Sequence, residues 1–74
     1  MSYRVEVHYT NGDTAWTHYT FYPQARDHCA YRLDDKYVSA VRVTNEKTGK
    51  VRFKRAKDAA GLRWLHQEGA DVLG

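Results

Sequence analysis

The stretch "YRVEVHYT", followed at once by Asn11-Gly12 and then by "DTAWTHYTFY", constrains the fold more than any other part of this chain. Side chains alternate across a strand with a period of two, so Tyr3, Val5, Val7 and Tyr9 share one face. Arg4, Glu6, His8 and Thr10 share the other. Asn-Gly is a strong signal for a two-residue hairpin turn, because it tolerates positive φ at both central positions. A two-residue loop sets Thr10 opposite Asp13, Val7 opposite Trp16, Val5 opposite His18 and Arg4 opposite Tyr19. Trp16 and His18 then join the valine face, while Thr17, Tyr19 and Phe21 join the polar one.

Three further elements follow. The segment 22–36 reads as a helix, with Pro23 in its first turn and an apolar stripe of Tyr22, Ala25, Cys29 and Leu33 at helical spacing. A second hairpin pairs "YVSAVRVT" with "VRFKRAK" around "NEKTGK", whose Gly49 suits a left-handed loop position. Setting Val43 opposite Val51 and Val41 opposite Phe53 points both pairs to the core. Arg42, Lys50, Arg52 and Lys54 then point away from it. Asp58 is a good N-cap for a last helix in which Leu62 and Leu65 share a side with Ala59, and Gly69 is its expected stop.

The expected architecture is therefore α+β: a two-layer sandwich in the order β-β-α-β-β-α. An antiparallel sheet of about four strands is covered on one face by two helices. With 74 residues the chain is one small domain, expected over 1–69 with a short tail at 70–74. The single cysteine, Cys29, has no partner for an internal bridge, which fits a reducing, cytoplasmic setting. No stretch reads as a signal peptide or a membrane span.

The distribution of charge says more than its sum of +3. Residues 42 to 57 hold seven cations against one acid, Glu46, so the positive charge is a local patch. On the expected open sheet face, Arg4, Arg42, Lys50, Arg52 and Lys54 lie among Tyr19 and Phe21. Cations that meet phosphates, mixed with rings that stack on bases, are the composition of a nucleic-acid surface. The same residues also fit a strand kept soluble and unpaired at a sheet edge. Arg63 and Trp64, on the far side of the last helix, have the make-up of a partner or dimer anchor; a tilted helix would instead tuck Trp64 against the sheet.

Catalytic and metal readings find less support. The four histidines and Cys29 show no ligand spacing, since adjacent His28 and Cys29 diverge by about 100° on a helix. No cofactor is indicated. Glu6 and His8, two apart on the polar face, leave room for a weak ribonuclease centred on His8. The leading expectation is a small non-enzymatic binding module whose ligand is nucleic acid or an acidic surface of a protein that handles it. The alternative is an accessory protein of the kind phages and plasmids encode, inhibiting a host protein of defence or transcription by stoichiometric binding. A homodimer is compatible with either.

Overall fold

A computed structural model describes the backbone of residues 2–73 and the side chains of 2–67. Its elements are β1 (Tyr3–Tyr9), β2 (Thr14–Tyr19), α1 (Tyr22–Leu33), β3 (Val38–Asn45), β4 (Val51–Ala56) and α2 (Ala59–Leu73). All four strands form one antiparallel sheet in the order β2-β1-β3-β4, so both hairpins do share it. The expected α+β order of elements is the observed one.

The first turn differs from expectation by one residue, and that residue reverses a strand. Tyr9 N–H donates to the Asp13 carbonyl at 2.8 Å and Gly12 N–H donates to the Tyr9 carbonyl at 3.0 Å, enclosing three loop residues, 10–12. Gly12 alone takes the left-handed conformation there, with φ 96°, so Asn11 never meets the demand of a two-residue turn. Val5 consequently faces Thr17 and Glu6 faces Trp16. A slip of one moves every side chain to the other face. Trp16 and His18 thus lie with Arg4, Glu6 and His8, whereas Tyr19 packs against the valine core.

The valine face is closed by α1. Val5, Val7, Val38, Val41 and Val43 meet Ala25 and Cys29, all essentially without solvent contact, with Tyr3 at the margin. Two small residues on the helix stripe let its axis lie close over the sheet. Burying a valine side chain is worth about 1.5–3 kcal/mol relative to leaving it exposed, so these five are a large part of what holds the sheet to α1. Helix α1 ends at Leu33 rather than running through Asp34-Asp35-Lys36. Asp35 instead turns the chain, accepting from the Tyr37 amide at 2.8 Å.

The second helix does not join α1. Trp64 of α2 stacks on His8 at 4.9 Å and receives the Arg42 guanidinium at 4.5 Å. His8 and Arg42 alternate with the core valines, so α2 lies on the opposite face, and the expected placing of both helices on one face is corrected. The cause is the buried stripe of α2, which runs through Gly61, Trp64 and Leu65, leaving Leu62 half exposed. Gly61 is what permits the approach: a Cβ there would overlap the Ser39 carbonyl. Asp58 caps the helix as expected, accepting from Gly61 N–H at 2.7 Å and from the Ser39 hydroxyl. Gly69 does not stop it, since α2 continues to Leu73. With a helix on each side, all eight residues of β3 are buried.

Candidate functional site

The cations of "VRFKRAK" do not form a single row. A β-bulge lies between Val43 and Thr44, where Thr44 pairs with Val51 but Val43 pairs with Phe53, leaving Arg52 as the extra residue. Val51 turns outward as a result, 40% exposed, in place of the inward position its alternation predicts. Arg52 swings to the α1 side, against the expectation that it faces away from the core. Lys54, opposite Arg42, stays on the other face.

On the α1 side the sequence builds a guanidinium cluster on aromatic rings. Tyr22 and Arg26 sit one helical turn apart on the flank of α1 that overlooks β4. Arg26 lies 4.0 Å above the centroid of Phe53, and Arg55 approaches the same ring at 5.6 Å. Arg52 lies 4.4 Å from Tyr22 and 5.9 Å from Tyr3, and donates to the Tyr3 hydroxyl at 3.4 Å. Each contact of this kind is worth about 0.5–1 kcal/mol at an exposed site. Among the described residues none of the three guanidiniums has a carboxylate within ion-pair distance. Stacking occupies the flat face of a guanidinium and leaves its N–H edge to meet oxygens, an arrangement suited to phosphate.

The opposite face spends its charge internally. Arg42 is 5% exposed and donates to both carboxylate oxygens of Glu6, at 3.1 and 2.6 Å. Arg4 adds a contact to Glu6 at 3.4 Å and lies 4.8 Å over the Trp16 ring. Arg42 was expected on an open surface; it does point away from the valines, but α2 then covers it. His8 is held between Trp64 and the Thr14 hydroxyl, 3.3 Å from its Nδ1. The carboxylate that acid–base chemistry at His8 would use is thus committed to Arg42. A depression of about 220 Å³ lies elsewhere, lined by Tyr31, Arg32, Asp34 and Asp35.

The remaining expected site residues scatter. Tyr19 is not a free stacking ring; its hydroxyl contacts His28 Nδ1 at 2.7 Å. Arg32 Nε donates to His28 Nε2 at 3.4 Å, so that nitrogen is unprotonated and Nδ1 donates to Tyr19. Burial, and then the charge of Arg32, lowers the His28 pKa. Phe21 is exposed beside Tyr22 at the start of α1. Lys50 follows the Gly49 loop and is exposed, as is Arg63, whereas Trp64 packs on the sheet. Residue pattern alone does not single out Arg26, Arg55 and Phe53 as a unit, nor Trp16 as a surface residue. The Tyr22–Arg26 spacing was the available signal for the former.

Burial pushes the Cys29 thiol up to about 11, as for a small apolar core residue. Among the described residues no three of His, Cys, Asp and Glu converge to hold a metal ion. No described helix is long and apolar enough to cross a membrane. A scan against protein-family models and searches of curated proteins and of solved structures match nothing.

Proposed function

We propose that this chain is a non-enzymatic module that binds nucleic acid through the arginine-on-aromatic surface shared by β4 and α1. The observation that carries the reading is the placement of Arg26, Arg52 and Arg55 on Phe53 and Tyr22, without carboxylate partners among the described residues. Pre-stacked guanidiniums lose little freedom on meeting phosphates, so the surface is organised before its ligand arrives. Lys50 extends the cationic strip toward the β3–β4 loop, and Phe21 stands exposed next to Tyr22. Single strands fit this surface best, because guanidinium planes and an exposed ring stack on bases that are not already paired.

The test is a titration of labelled single-stranded RNA, single-stranded DNA and duplex DNA at two salt concentrations. An Arg26→Glu, Arg52→Glu, Arg55→Glu variant runs beside the native chain. The expected result is binding whose log K falls by about 0.7 per neutralised phosphate against log salt for single strands, and which the variant loses. Absence of binding to all three at low salt overturns the proposal and moves the same cations to the second reading, docking on an acidic protein surface.

A further inference from the structure

The two edges of this sheet are guarded very differently. The β4 edge carries Arg52, Lys54 and Arg55 and a bulge, devices that discourage strand pairing. The β2 edge has none of these: from Thr14 to Tyr22 there is no lysine, arginine, aspartate or glutamate, no proline and no glycine, and β2 pairs with β1 in unbroken register. The one titratable side chain in the strand's outward set is His18, whose Nδ1 meets Glu46 at 2.9 Å. Trp16, 58% exposed, stands at its middle.

The hydrogen-bond phase of β2 is set by its turn. Tyr9 N–H bonds to Asp13, and in antiparallel pairing such bonds recur at every second residue. Ala15, Thr17 and Tyr19 therefore direct their amides and carbonyls to β1. Thr14, Trp16 and His18 direct theirs outward, with no strand beyond them among the described residues.

We infer that β2 pairs with β2 of a second copy, antiparallel about a twofold axis at Trp16, joining two sheets into one of eight strands. This register sets Trp16 opposite Trp16 and Thr14 opposite His18 of the other copy, so all three outward residues of each chain exchange backbone hydrogen bonds. On the other face Ala15 meets Thr17. No like charges face each other, and the two tryptophans supply the apolar contact that backbone pairing alone lacks. The β4 edge cannot supply the partner strand to a second β4, because its cations would face cations. Self-pairing leaves both basic surfaces at the outer ends of the joined sheet, and does not depend on what they bind.

Sedimentation equilibrium across a wide concentration series tests this directly. The expected outcome is a transition from the 8.6 kDa chain to twice that mass, insensitive to salt because no charges pair. Trp16→Lys, at an exposed position, weakens self-association by at least about tenfold. Register is read separately, with Trp16 intact, by mixing Thr14→Cys and His18→Cys chains under mild oxidation. Mixed disulfides form faster than either like pair, while buried Cys29 does not compete. A chain that stays monomeric throughout overturns the inference. So does a dimer that forms equally well with Trp16→Lys or shows no preference for the mixed disulfide.

Discussion

Arg42 grips Glu6 through two parallel hydrogen bonds, 3.1 and 2.6 Å long, across the central strand pair of the sheet. Both side chains are almost wholly buried, and the Trp64 ring closes over the guanidinium. Removing one partner leaves an uncompensated buried charge, which costs about 3–5 kcal/mol. Glu6→Ala is accordingly expected to lower the urea midpoint severely. Glu6→Leu combined with Arg42→Met should recover much of the loss, since neither charge is then stranded. A double variant no more stable than the single one would show that the pair does more than neutralise itself.

Gly61 predicts a reversal of the usual helix rule. Glycine in a helix interior normally costs about 1 kcal/mol against alanine. Here an added methyl would strike the backbone of Ser39, and overpacking costs about 1–3 kcal/mol. Gly61→Ala is expected to destabilise the protein and to expose Trp64, visible as a red shift in fluorescence. A rise in melting temperature would mean that α2 can stand further from β3 at no cost.

The arginine cluster predicts a separation of charge from stacking. Replacing Arg26, Arg52 and Arg55 together by lysine keeps every positive charge but removes the flat contacts on Phe53 and Tyr22. Affinity for single-stranded nucleic acid should fall by about tenfold, while the slope of log K against log salt stays the same. Equal affinity of the lysine form would show that charge alone accounts for binding.

Acid should loosen the fold in two stages. Burial and Arg32 lower the His28 pKa in the folded chain. Just below its ordinary value of about 6.5, the unfolded state therefore holds more protons, and stability falls as pH drops through that window. Glu46, held below the carboxylate range by the Ser2 hydroxyl and His18, and Asp58, held down by the Ser39 hydroxyl and the Gly61 amide, act at lower pH. Their stabilising contribution is present above the unfolded carboxylate pKa and is lost below it. Thermal melts of the native chain and of His28→Gln from neutral to acid pH should differ in the first stage and coincide in slope in the second.

The order of elements was legible in the sequence because alternation, Pro23, Asp58 and the turn glycines are local signals. What was not legible was set by differences of one residue. Asn11-Gly12 signals a turn but does not count its residues, and the third loop residue moved Trp16 outward and Tyr19 inward. The bulge at Arg52 has no marker in "VRFKRAK". Placing α2 on the second face needed the knowledge that Gly61 tolerates a backbone at van der Waals distance, which propensity treats only as a weakness. Of the expected basic surface, Lys50 and Lys54 stand exposed as read, Arg52 is exposed on the opposite side, and Arg42 is enclosed.

The three-residue turn at 10–12 has a consequence for how this chain can vary. Parity, more than chemistry, is at stake in that loop: any odd change in its length exchanges the two sides of β2 wholesale, burying Trp16 and evicting Tyr19 with no coding change in the strand itself. Even changes leave the strand's sidedness intact. Insertions of two there should therefore be tolerated where an insertion of one is not, and a tag or probe spliced into this turn should be designed by counting before its sequence is chosen.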